Sequence, residues 1–163
     1  MKTAILPSVL AVGLLACAAS VQAQSVTFNV TGTITPGVCV FTANDVDLGT
    51  YSATTFTGST TTGWVDVPIR STRCDPLVTV VHMRVTGTAD AADAALFRGV
   101  SGIGVELQQK ISGTPIVPAG TTVNFTTVPG AASYMLQGRF KQSAPTVAAG
   151  TVRSPVTIQF TYN

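Results

Sequence analysis

The chain has 163 residues, a formal net charge of +2 and only 10% charged residues. It carries no basic run with interleaved aromatics of the kind that follows a phosphate backbone, so nucleic acid is not an expected partner. The one histidine, His82, and the scattered acids Asp45, Asp47, Asp66, Asp75, Asp90, Asp93 and Glu106 supply neither a copper set of two histidines and a cysteine nor the clustered ligands of a zinc site. No Gly-x-Ser-x-Gly nucleophile motif occurs, and neither a cofactor nor an enzymatic activity is expected.

At the start, Met1 and Lys2 precede an apolar run from Ala4 to Ala19 broken only by Pro7, Ser8 and Gly13, and then Val21-Gln22-Ala23 offers small or β-branched residues at cleavage-type positions. Residues 1–23 therefore read as a secretory signal peptide. Leu14-Leu15-Ala16-Cys17 also has the look of a lipoprotein cleavage site, but the peptidase site six residues on is the better one. No later stretch approaches the roughly 18 to 20 apolar residues of a helical span, so no membrane span is expected in the mature chain. Cleavage after Ala23 leaves 140 residues, one domain's worth of material with an ordinary core.

The mature chain opens on an alternating segment. Val26, Phe28, Val30 and Ile34 share one phase and Thr27, Asn29, Thr31 and Thr33 the other, which predicts an amphipathic strand over 26–35. Gly32 takes an apolar-phase position and leaves room for another backbone to approach. Removal of Cys17 leaves Cys39 and Cys74 in an exported chain, where an oxidised pair is the default. A bridge closing a loop of that length contributes about 4 kcal/mol in the loop-entropy model. Without Cys-x-x-Cys spacing, a redox role is not expected.

Further strands are predicted over 38–42, 45–50, 64–71, 77–87, 103–109, 121–126, 133–142 and 152–162, separated by Pro36-Gly37, Asp75-Pro76, Ser112-Gly113, Pro118-Ala119-Gly120 and Pro129-Gly130. The alanines of 90–97 favour a helical turn there. The nearly continuous apolar run of 77–85 predicts a central strand buried on both faces, with His82 packed or at its rim, whereas 64–69 alternates as a half-exposed strand does. Trp64 reads as packing rather than ligand stacking. Residues 99–104 are a turn, lacking the lysine and following helix of a phosphate loop. Asn29-Val-Thr and Asn124-Phe-Thr match glycosylation acceptors by chance. In the last segment Val152, Val156, Ile158, Phe160 and Tyr162 alternate with polar residues almost to the C-terminus, so no later segment is expected to supply a neighbour on its open side. Pro155 cannot donate to a ladder, which confines regular pairing to Val156 onward.

The ordered set of features is a glycine-containing alternating extension over 26–34, Cys39 just beyond it, Asp47-Leu48-Gly49 before Cys74, Gly150 fourteenth from the end and Tyr162 penultimate. That set resembles the fimbrial (pilin) subunits of the chaperone-usher pathway of Gram-negative bacteria, of the type 1 and P pilus kind. The resemblance implies an all-β fold: an incomplete immunoglobulin-like β-sandwich over 37–163 that lacks its last strand. It implies completion by donor-strand exchange, in which a periplasmic pilus chaperone lends a strand and the extension 24–36 of a neighbouring pilin subunit later takes its place. Assembly through an outer-membrane usher would carry the head-to-tail polymer to the cell surface as a fimbrium supporting cell adhesion. By carry-over, Val26, Phe28, Val30, Gly32 and Ile34 form the donor face. Gly150, Val156, Ile158, Phe160 and Tyr162 line the acceptor groove that the chaperone recognises, and the bridge Cys39–Cys74 holds the first strand to the second. Four buried apolar anchors give an upper bound of roughly 6 to 12 kcal/mol before ordering costs. The alternatives are a minor adaptor, a tip-associated adhesin or carbohydrate-binding sandwich, for which a second domain has no room, and a self-complemented module whose first strand folds back into its own groove.

Overall fold

The computed structural model describes residues 25–34, 37–126 and 133–162. The chain divides between residues 34 and 35 into two units, and each is taken by itself. In the first, residues 25–34 form no strand, and Val26, Phe28, Val30 and Ile34 are 80 to 97% exposed. An alternating sequence becomes a strand only when a second backbone satisfies its amides and carbonyls, so the predicted strand 26–35 is not realised over 26–34; Thr35 lies outside the described residues. Around Gly32 nothing approaches within 4 Å of where a Cβ would stand.

The second unit is all-β among the described residues apart from one 3-10 turn, Ala53–Thr55. Its strands are β1 (Cys39–Ala43), β2 (Val65–Cys74), β3 (Val80–Gly87), β4 (Phe97–Val100), β5 (Ile103–Gln109), β6 (Pro115–Ile116), β7 (Thr121–Thr126), β8 (Ser133–Gln142) and β9 (Val156–Tyr162). One sheet runs in the order β1-β2-β8-β5-β4, with β6 also on β5, and the other in the order β7-β3-β9. Every pairing is antiparallel. The abundance of Thr and Val, with Gly and Pro at the turns, is what a pleated, half-buried surface selects.

Between the sheets lie Ile69, Leu136, Val105, Leu107, Phe97 and Ile116 from the first and Met83, Val85 and Val123 from the second. A second cluster gathers Cys39, Cys74, Val78 and Val81 at one end. Gly87 is required by packing, since a Cβ there would stand 2.6 Å from the Phe97 ring. On the outer face of the larger sheet Glu106 accepts from Arg139 at 2.6 Å and from Lys141 at 3.2 Å. The Arg139 guanidinium covers the Trp64 ring at 4.1 Å, so Trp64 is a packing residue at the rim. On the smaller sheet His82 Nδ1 lies 2.7 Å from Asn124 Oδ1 across the ladder.

Five further expectations are corrected. Residues 45–50 form no strand: the Asp47 carboxylate accepts from the Gly49 N–H at 2.8 Å, and Gly49 has φ +94°, a turn that breaks any ladder. Residues 90–97 form no helical turn, because the Asp90 carboxylate takes the N–H groups of Ala92 and Asp93 and so offers the backbone an alternative to helix; Leu96 then enters the core and Phe97 opens β4. The strand expected from 77 begins at Val80, with Leu77 79% exposed. Although β3 is central in its sheet, it buries one face only: Val81, Met83 and Val85 point inward while Arg84 is exposed. The final strand starts at Val156 rather than 152, just after Pro155.

Candidate functional site

Strand β9 ends the order of its sheet, paired with β3 from Val81 opposite Tyr162 to Gly87 opposite Val156. Its other edge has no strand partner among the described residues. Strand β1 ends the order of the other sheet on the same side of the sandwich. At the start of β1 the two sheets meet through side chains: Phe41 stacks on Phe160 with ring centroids 4.1 Å apart, and the Tyr162 hydroxyl donates to the Cys39 carbonyl at 2.7 Å. The Cys39–Cys74 disulfide joins directly opposed residues of β1 and β2, so the carbonyl that Tyr162 reaches is held on both sides.

Beyond this contact the sheets part. An open groove of about 790 Å³ runs from Ala43 toward Val156, with residues 44–51 along one side and 147–156 along the other. Its floor is made by Ile69, Val105, Leu107, Leu136 and Phe140, most of them residues of the main core. A smaller recess of about 230 Å³, lined by Phe41, Ile69, Val156, Ile158 and Phe160, lies beside it. A sandwich whose core forms the floor of an open groove is missing the backbone that would cover it. The arrangement suits an extended segment, which could take the ladder bonds of β9's free edge and place alternate side chains on the floor.

Among the residues singled out from sequence, Gly150, Val156 and Ile158 line the large groove, Phe160 lines the recess, and Tyr162 closes the end beyond it. Val26, Phe28, Val30, Gly32 and Ile34 belong to the other unit. Sequence reasoning missed the wall at 44–51, whose Leu48 packs on the core, and Phe41, which meets Phe160. The apolar residue inside Asp47-Leu48-Gly49 was the available signal.

The fimbrial protein family matches residues 28–163. The chain belongs to that family. This fimbrial subunit is 30% identical over 145 residues to the S-fimbrial protein subunit SfaG of Escherichia coli O6:K15:H31 (strain 536 / UPEC), covering 82% of this chain and 81% of SfaG. It is 28% identical over 159 residues to protein FimG of Escherichia coli (strain K12), covering 95% of each. Among solved structures it resembles the P pilus rod subunit PapA with a TM-score of 0.66 at 18% identity, over 77% of this chain and 99% of PapA. It resembles to the same degree a chaperone-usher pilus subunit whose structure bears on rod uncoiling, at 16% identity over 90% of this chain and 100% of the other. The fold is thus the immunoglobulin-like sandwich of pilins, and the chain is a structural pilus subunit whose partners are neighbouring pilin subunits; the tip role is not favoured. Among the described residues no helix is long and apolar enough to cross a membrane.

The tyrosine that closes the fimbrial groove gives a measurable handle. Burial pushes the Tyr162 phenol above its ordinary value of 10.0, and burial does the same to Tyr134. A raised folded-state value means that the unfolded chain releases its proton first, so this stability is present below pH 10 and is lost as pH rises above it. Tyr162→Phe is expected to cost about 1 kcal/mol at neutral pH through loss of the bond to Cys39. It should also flatten the alkaline fall in stability; urea titrations at pH 7 and above pH 10 read both effects.

Proposed function

We propose that this pilus subunit polymerises by donor-strand exchange, residues 24–36 of one copy occupying the groove beside β9 of the next. The observation that carries the reading is the edge of β9 that has no strand partner among the described residues, beside a groove floored by core residues Ile69, Leu107 and Leu136. The extension has the complementary chemistry: four exposed apolar side chains on one phase and a glycine on the same phase where backbone must come close. Main-chain bonds along β9 supply affinity, and Val26, Phe28, Val30 and Ile34 supply the anchors for the groove formed by Gly150, Val156, Ile158 and Phe160 and closed by Tyr162. Since a copy that receives one strand offers its own, the contact does not close and the product is a filament.

In this reading residues 1–23 are a signal peptide, 24–36 the donor extension and 37–163 the pilin domain. A groove that exposes core needs cover before the neighbour arrives, which assigns that task to a periplasmic chaperone and delivery to an outer-membrane usher. The finished fimbrium stands on the cell surface and supports adhesion, with no catalytic step in the cycle. Replacing Phe160 with Ser removes the ring that stacks on Phe41 at the edge of the recess. That variant is expected to lower both co-purification with the pathway's chaperone and incorporation into fibres at least tenfold, as loss of a central aromatic anchor does. Unchanged chaperone capture and fibre yield would argue that β9 is not the recognition surface.

A further inference from the structure

At the end of the groove where β9 begins, neither wall is a strand. One wall is the loop that passes 44–56 and returns to β8 through 57–62; the other is the connection 143–155 from β8 to β9. A single side chain is bonded to both. Gln142, the last residue of β8 and only 7% exposed, accepts from the Gly58 N–H at 2.7 Å through Oε1 and donates to the Ala144 carbonyl at 2.9 Å through Nε2. Its backbone N–H donates to the Thr60 carbonyl at 2.9 Å.

An amide suits this position because it accepts through one atom and donates through the other. Glutamate accepts but does not donate, lysine donates but does not accept, and an apolar residue does neither. Past Gln142 the connection is pinned to the β4–β5 turn: Ser143 N–H donates to the Gly102 carbonyl at 2.8 Å and Ala148 N–H to the Ser101 carbonyl at 2.9 Å. Gly102, at φ +82°, is tucked beneath Thr146, where any side chain would overlap the Thr146 carbonyl. The connection is thereby fixed at its far side by backbone and at its near side by Gln142.

We propose that Gln142 is a positioning residue for strand uptake: it sets the separation of the two loop walls and so holds the groove in the shape that an incoming extension from a second copy of this chain fits. This rests on reading the groove as the acceptor of a neighbour's strand. Gln142 touches no part of the donor; it acts by keeping both walls in place before the donor arrives, which lowers the ordering cost of binding.

The test uses the full exported chain and a fluorescein-labelled peptide of residues 24–36, with peptide release followed by anisotropy and amide exchange followed at Gly58. Gln142→Met, similar in size but without either bond, is expected to release the peptide about tenfold faster and to exchange the Gly58 amide at least tenfold faster, the cost of lost preorganisation. Gln142→Glu keeps the acceptor for Gly58 and loses the donor to Ala144, so it should preserve Gly58 protection while still speeding release. Should Gln142→Met fail to fold, this second variant carries the test. Glu106→Gln, which breaks the outer-face ion pairs, should leave release at the wild-type rate. Wild-type release in the Gln142 variants, or equal acceleration in Glu106→Gln, overturns the proposal. A wild-type chain that takes up no peptide sinks the reading of the groove and this inference with it.

Discussion

A chain lacking residues 26–34 is expected to form no fibres on its own and, mixed with the intact chain, to end growing fibres. Its groove beside β9 is untouched and can still receive a strand, but it has none to give. If one copy in ten carries the deletion, mean fibre length falls to about ten subunits, as follows from a head-to-tail contact that one terminator interrupts. Electron microscopy of mixed assemblies at several ratios reads the length directly. The size of the effect follows from the exposed side chains: Val26, Phe28, Val30 and Ile34 are almost fully in water, and covering each is worth roughly 1.5 to 3 kcal/mol before ordering costs. Fibres of normal length at every ratio would mean that the extension is not the link.

Loss of the disulfide has the second large effect. Cys39 and Cys74 are 35 residues apart in sequence and directly opposed in the β1–β2 ladder, and both are buried with Val78 and Val81. Replacing both with Ser frees a loop whose closure is worth about 4 kcal/mol in the chain-entropy model. Domains of this size have a total stability of about 5 to 15 kcal/mol, so the double substitution should remove roughly a quarter to four-fifths of the total. The loss should extend to the groove, because the Cys39 carbonyl is the acceptor for Tyr162. Guanidinium titration of the oxidised and doubly substituted chains measures the difference; a change under 1 kcal/mol would contradict the role assigned to the bridge.

The parts of the fold that were legible in sequence are those where period and punctuation agree. Strands β5 and β7 lie where the alternation is bounded by Ser112-Gly113 and Pro118-Ala119-Gly120, β8 spans the alternation of 133–142, and Pro155 marks the true start of β9; the turn predicted at Pro129-Gly130 lies outside the described residues. Alternation also put Val156, Ile158, Phe160 and Tyr162 on one face, which is where they stand. Two of the misses share a cause. Residues 45–50 and 90–97 carry alternation or helix-favouring alanines, but Asp47 and Asp90 turn their carboxylates onto nearby N–H groups, and local side-chain bonding outweighs propensity. The run 77–85 is apolar in composition, yet Leu77 lies in a turn and β3 has one face in solvent; periodicity alone does not tell how many faces are covered. The groove walls were hidden for a further reason: irregular loops such as 44–51 and 143–155 have no period, and Gln142 joins them through contacts up to 84 residues apart.

The most direct test asks whose extension enters whose groove. A size-tagged chain with Phe28→Cys, mixed with an untagged chain with Ile158→Cys and oxidised gently, should yield a mixed-size cross-linked dimer; Val26→Cys and Val30→Cys, tried against the same partner, cover the neighbouring registers. A mixed-size product in at least one register is the predicted result. If Phe28 and Ile158 were instead replaced in the same molecule and the product were a cross-linked monomer, with no mixed-size species in any register, the extension would be completing its own sandwich and the fibre would have to be built another way.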